Sequence, residues 1–175
     1  MFTHRLATHD DIAVLTPLMN ASIAELLKPF LAADQVTASF EIMGIDTQLI
    51  DDGTYFVVLD NGRIAGSGGW SRRATHFGGD HSPGRDARLL DCKTEAARVR
   101  AMYTHPDFTR RGIGRLILAL CESAAARDGF SRVELVATMA GEPLYHACGY
   151  APVEAFEQRT GNGVAVPLLR MAKTL

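Results

Sequence analysis

Residues 110–115 read RRGIGR: two arginines, two glycines one residue apart, and a third arginine. An apolar run, LILALCESAAARDGF, follows at once and brings Ile113, Leu116, Ile117, Leu120, Cys121 and Ala124 onto one helical face. The first N–H groups of a helix have no partner inside it, and the aligned peptide dipoles make that end positive. Glycines at 112 and 114 would clear side chains from those amides, so that an anion could rest on the backbone itself. Arg110, Arg111 and Arg115 would add attraction for phosphate. The stretch lacks the Lys-Ser/Thr of a P-loop, and Ile117 stands where a dinucleotide-binding G-x-G-x-x-G needs its third glycine. An anion site therefore fits where the familiar nucleotide motifs do not. The plainer role for the glycines is a tight strand-to-helix turn with close packing.

A second group of chemistry-bearing residues lies in 71–94, where HFGGDH holds His76, Asp80 and His81. As a metal set it is thin, and no metal is expected. A connection this long fits neither helix nor strand period, which points to function or to disorder. The GGD and SPG stretches read as turns of an ordered loop beside a binding site. Trp70 reads as packing where this loop begins, and Arg72 and Arg73 read as solvated.

The elements that must position these residues follow from period and punctuation. Residues 3–8 form a first strand, and Ile12, Leu15, Met19, Ile23 and Leu26 mark a helix capped by Thr8 or Asp10 and kinked or split at Pro17. A second helix begins at Asp34, with Val36, Phe40 and Met43 inward. The pattern then changes to strands: TYFVVLDNGRIAGSGGW is a hairpin around Asp60-Asn61-Gly62, and Gly66, Gly68 and Gly69 signal a bulge or a close backbone approach. Residues 95–104 form the next strand, followed by the glycine-led helix to Gly129, a strand at 131–138 and a short helix at 141–148. Two last strands turn through Thr160-Gly161-Asn162-Gly163. The order predicts one α/β (α+β) domain over 1–175, a mixed, mostly antiparallel sheet of about seven strands with helices on both faces.

Composition sets the outer bounds. Hydrophobic residues make up 47% and charged residues 22% of 175, enough for an ordinary packed core. A net charge of −2 with scattered Lys and Arg argues against a nucleic-acid partner. Cys92, Cys121 and Cys148 are odd in number and far apart, which predicts no disulfide framework and a reducing, cytoplasmic setting; Cys121 reads as core. The N-terminus is too polar for a signal peptide, and no apolar run approaches the roughly 20 residues of a membrane span, so no membrane association is expected.

Residues 98–130, RVRAMYTHPDFTRRGIGRLILALCESAAARDGF, closely resemble the coenzyme-A-binding core of the GCN5-related N-acetyltransferase (GNAT) superfamily. LYHACGY at 144–150 resembles the tyrosine-containing signature of the same family, and the element order agrees with its fold. The resemblance is specific over 98–150 and loose before residue 54. It implies an acetyl-CoA co-substrate whose pyrophosphate is held by the amides of Arg110, Arg111, Gly112, Ile113, Gly114 and Arg115. It implies that backbone groups at Met102, Tyr103 and Thr104 meet the acetyl carbonyl and the pantetheine arm. It also implies that Tyr145 protonates the departing thiolate, as a phenol can. The chain departs from the family at Thr109, where Gln or Arg is usual, and has no Asn before the signature tyrosine.

The implied activity is transfer of acetyl to a primary amine of a small molecule or peptide, directly and in a ternary complex. The other reading is a non-catalytic module of the same fold that binds or senses acyl-CoA. A base for the amine is open among Glu25, Glu95, Glu134, His81 and His105, or a water chain. The last strands offer a surface for a homodimer.

Overall fold

The computed structural model describes residues 1–175. Seven strands form one sheet: β1 (Thr3–Leu6), β2 (Tyr55–Asp60), β3 (Arg63–Ser71), β4 (Ala97–Thr104), β5 (Arg132–Ala137), β6 (Ala151–Arg159) and β7 (Ala165–Thr174). Their order across the sheet is β1-β2-β3-β4-β5-β7-β6. Every neighbouring pair is antiparallel except β4–β5. The helices are α1 (Ile12–Leu26), α2 (Ala33–Ile42), α3 (Thr47–Asp51), α4 (Ile113–Arg127) and α5 (Glu142–Ala147).

Strand alternation divides the core between the two faces of the sheet. On one face, Ile113, Ile117, Leu118, Cys121 and Ala125 of α4 pack with Ala97, Val99, Val133, Leu135, Leu169 and Met171, and Tyr145 of α5 joins them. On the other, Leu15, Leu18, Met19 and Ile23 of α1 and Leu49 and Ile50 of α3 pack on Tyr55, Val57, Ile64 and Tyr103. The predicted mixed sheet with helices on both faces is the observed one.

The glycines of β3 let α4 lie directly on the sheet. A Cβ at Gly66 would come 2.6 Å from Ile113 Cγ2, and one at Gly68 would come 2.7 Å from Ile117 Cγ2. These close approaches fix where the N-terminus of α4 sits relative to β3 and β4.

Two expectations are corrected in detail and one is resolved. Pro17 does not split its helix, because α1 runs unbroken from Ile12 to Leu26 with Leu15, Leu18, Met19 and Ile23 buried on both sides of it. Of the two caps expected, Thr8 is the one used: it opens the single turn His9–Asp11 that runs into α1, and Asp11 Oδ2 accepts its N–H at 2.8 Å while the carboxylate pairs with Arg5 at 2.7 Å. Asp34 lies inside α2, and Gln35 Oε1 accepts the Ala32 N–H at that helix start. The short α3 was not foreseen. No helix is long and apolar enough to cross a membrane.

Candidate active site

β4 and β5 begin side by side and then part. They pair only at Ala97–Val133 and Arg98–Glu134. Beyond that point β4 stays with β3, and β5 stays with β7 as far as Ala137–Leu169. The departure coincides with a bulge in β4. Ser67 and Gly69 of β3 face Tyr103 and Arg100, which leaves Ala101 and Met102 opposite the single Gly68. Ala101 carries φ +52°, the left-handed region that a residue with a Cβ seldom enters. The edge of β4 toward β5 is therefore unpaired within the sheet from Val99 onward.

The gap between the strands is a cleft that opens to solvent. Val99, Ala101, Met102 and Tyr103 line it from β4, Leu135 and Val136 from β5, and Tyr145 from α5. Met43 and Gly44 after α2, and His76, Phe77 and Gly78 from the 71–94 loop, close its other side. Of the three residues expected on the strand, Met102 and Tyr103 line the cleft directly. Thr104 pairs with Gly66 at the far end of β4 and lies outside the lining.

RRGIGR lies in the turn that leads from β4 into α4. Arg110 (φ +63°) and Gly112 (φ +86°) are both left-handed and flank Arg111. The first backbone bond of α4 runs from Leu116 N–H to the Gly112 carbonyl, so the amides of Ile113, Gly114 and Arg115 precede the ladder. The two glycines do different work. A Cβ at Gly112 would meet nothing within 4 Å, so this residue serves the left-handed turn. A Cβ at Gly114 would lie 2.6 Å from Leu144 Cδ2, so this residue lets α5 pack against α4. A left-handed turn and a packing role are both present, one at each glycine.

The arginines differ as well. Arg110 and Arg115 are exposed and make no ion pair, whereas Arg111 Nη1 is held by Asp60 at 3.0 Å and its guanidinium lies over Phe108. The Arg111 side chain is thus committed locally, and its expected direct attraction for phosphate is reduced. Ile113 points its side chain into the core.

Tyr145 is buried, and no protein group hydrogen-bonds its hydroxyl in the cleft. Burial pushes its phenol well above the ordinary value, because the phenolate would be charged in an apolar site. The group therefore keeps its proton through neutral and mildly alkaline pH. Cys121 is fully buried and its thiol is pushed up for the same reason, which fits its core role.

None of the five side chains considered as a base lines the cleft. Glu25 pairs with Lys28, Glu95 with Arg88, and Glu134 with Arg98 and Arg170. His81 Nε2 is bonded to the Phe40 carbonyl, and His105 Nδ1 accepts the Asp107 N–H. His76 lines the cleft instead. Its Nδ1 is buried without a hydrogen-bond partner, and burial, followed by the Arg98 charge, holds the imidazole below its ordinary pKa. The HFGGDH residues diverge, with His76 toward the cleft, Asp80 toward the Thr47 N–H and Arg85, and His81 toward α2.

The rest of that loop is ordered. Backbone bonds link Ala74 to Arg88 and Leu90 to Arg72. Trp70 is buried edge-on to Phe130. Arg72 and Arg73 are not simply solvated, because they pair with Asp128 at 3.0 Å and Asp52 at 2.7 Å.

The site thus combines a splayed strand pair with a bulged inner strand, which line the cleft, and a left-handed turn into the N-terminus of α4. The family model described as the Acetyltransferase (GNAT) family matches residues 20–150. The chain belongs to the GNAT acetyltransferase family. Solved GNAT structures share the fold along nearly the whole chain. A GCN5-related N-acetyltransferase from Rhodopseudomonas palustris is 18% identical with a TM-score of 0.73, covering 99% of this chain and 95% of that one. The yncA structure from Salmonella typhimurium, which contains its cofactor acetyl-CoA, is 20% identical with a TM-score of 0.65, covering 99% and 94%. The PaiA N-acetyltransferase from Thermoplasma acidophilum, in complex with coenzyme A, is 11% identical with a TM-score of 0.66, covering 100% and 99%. At such identities the likeness is one of fold. No curated protein matches the chain in sequence.

Proposed function

We propose that this GNAT protein is an acetyl-CoA-dependent N-acetyltransferase that acts on a primary amine of a small molecule or peptide by direct transfer in a ternary complex. The observation that carries the reading is the parting of β4 from β5 beyond Arg98, which opens a cleft lined by both strands, Tyr145 of α5 and the 71–94 loop. Acetyl-CoA would supply the acetyl group as a thioester. The amides of Arg110 through Arg115, with the free guanidinium groups of Arg110 and Arg115, suit its pyrophosphate. The unpaired edge of β4 at Met102 and Tyr103, continuing to Thr104, suits the pantetheine arm. Its N–H groups beside the bulge suit the carbonyl on which negative charge develops.

Tyr145, uncharged and without a protein partner, is suited to give its proton to the thiolate as the C–S bond breaks. The attacking nitrogen must lose a proton, and His76 is the lining imidazole, neutral near pH 7. Direct transfer is supported by the cysteines: Cys121 is sealed in the core, and Cys92 and Cys148 stand outside the cleft.

Calorimetric titration with acetyl-CoA, followed by thiol release over a panel of amines, tests the reading. Arg110→Glu/Arg115→Glu is the control, because both side chains are exposed and unpaired and their reversal leaves the core alone. Binding in about the micromolar range, weakened at least about tenfold by the double reversal, is expected together with turnover of at least one amine. No binding by the folded wild type would overturn the proposal. Binding without turnover of any amine would favour the acyl-CoA-binding module.

A further inference from the structure

The α2–α3 connection and the 71–94 loop converge on the β4 bulge through one buried carboxylate. The Asp46 side chain is fully buried. Its Oδ1 accepts the Gln48 N–H at 3.2 Å, capping α3, and takes Arg85 Nη2 at 2.6 Å. Its Oδ2 lies 2.5 Å from Arg100 Nη1. Arg100 is itself buried, and its Nη2 donates to the Gly78 carbonyl at 2.5 Å. Two residues before Asp46, the Gly44 N–H donates to the Tyr103 hydroxyl at 2.9 Å.

The residues on the two sides of Ala101–Met102 are therefore both tied to the segment 44–46. Such a bulge, with a non-glycine residue in the left-handed region, persists only where its surroundings over-determine it. Here the surroundings are an ion pair on one flank and a part-buried hydrogen bond on the other, with the Tyr55 hydroxyl donating to the Ala101 carbonyl at 3.0 Å. The same ties hold Gly44 and Gly78, two residues that line the cleft together with Tyr145.

We propose that Asp46 is a positioning residue for acetyl transfer: through Arg100 it holds the β4 bulge in the geometry the reacting carbonyl needs, without touching substrate. The proposal rests on the transferase reading above. Burial pulls the Arg100 guanidinium below its ordinary pKa and the Asp46 charge opposes this, so loss of Asp46 leaves a buried cation uncompensated. A buried ion pair can often be exchanged for apolar residues of similar volume without loss of stability. That separates a role in stability from a role in geometry.

The test compares wild type, Asp46→Asn and the double variant Asp46→Leu/Arg100→Met. The readouts are thermal stability, amide hydrogen exchange, and kcat and KM for acetyl-CoA with an amine that the wild type accepts. Asp46→Asn is expected to raise exchange across residues 100–104 about tenfold or more while α4 is unchanged. It is also expected to lower kcat about tenfold or more, with the acetyl-CoA KM within about twofold of wild type. The double variant is expected to recover part of the thermal stability, Arg85 and the Gln48 N–H still lacking their partner, but not kcat. A double variant with wild-type kcat, or an Asp46→Asn protein with unchanged exchange at 100–104, would overturn the proposal. If Asp46→Asn does not fold, the double variant decides. If the wild type turns over no amine, the transferase reading fails separately, and exchange at 100–104 alone decides whether Asp46 holds the bulge.

Discussion

At the residue scale, three positions separate the tasks of the groove. Tyr145 offers a hydroxyl that no protein group engages, so Tyr145→Phe removes a proton donor and little packing. Its kcat should fall about 100-fold with the acetyl-CoA KM and the melting temperature nearly unchanged; steady-state kinetics and a thermal scan check this. Because burial disfavours the phenolate, the wild-type rate should show no alkaline loss from Tyr145 up to about pH 10. The two glycines of RRGIGR should fail in different ways. Gly112→Ala forces a Cβ into φ +86°, in the space where an anion would sit, so acetyl-CoA affinity should drop. Gly114→Ala pushes on Leu144, the neighbour of Tyr145, so kcat should fall while affinity holds. Dissociation constants and kcat for the two variants decide the matter. Equal effects on both quantities would mean that the turn acts as one unit.

Among the elements, those whose signals are local were legible in the sequence. The Asn61-Gly62 hairpin sits at φ +49° and +84° as its residues require, and α4 buries Ile113, Ile117 and Cys121 of the expected face, with Leu118 and Ala125 buried where Leu116, Leu120 and Ala124 are only half-buried. Tyr145 of LYHACGY lines the cleft, as do Met102 and Tyr103 of the strand before RRGIGR. What could not be read depends on partners distant in sequence. α3 is only five residues long, too short for a period, and is held by the Asp46 cap and by Leu49 and Ile50 in the core. The Ala101 bulge has no signal of its own, since alanine gives no hint of a left-handed residue, and the network through Asp46, Arg85 and Arg100 joins three separate segments. His76 reaches the cleft only because the loop folds back. Gly69, read as a mark of close backbone approach, supplies a prediction at this scale. A Cβ there would lie 2.7 Å from the Thr54 carbonyl oxygen, a backbone atom that cannot swing aside. Gly69→Ala should therefore cost about 2–3 kcal/mol of unfolding free energy in urea melts, well above what relief of backbone entropy returns. A neutral result would mean that β2 and β3 can separate at little cost.

In the whole molecule, one sheet joins two cores, and the cleft opens where the pairing between β4 and β5 ends. The half of the sheet holding β1, β2 and β3 is tied to the α1 side partly by charge. Asp11, at the start of α1, has its carboxyl pulled from 3.8 to about 2, first by the hydrogen-bonded Arg5 guanidinium on β1, with the Thr8 amide adding to it and burial opposing. A carboxyl whose pKa is lower in the folded than in the unfolded chain stabilises the fold above the unfolded value and loses that contribution as pH falls through the folded one. The window here runs from about pH 4 down to about pH 2. The Arg5 side chain is 46% exposed, so solvent screening reduces the coupling to about 1–2 kcal/mol at pH 7. Asp11→Asn should be less stable than wild type by that amount between pH 5 and 8, and the two stability curves should converge toward pH 2. Urea melts of the pair across that range check this. A gap that persists at pH 2 would assign the loss to the cap geometry at the start of α1 rather than to the charge.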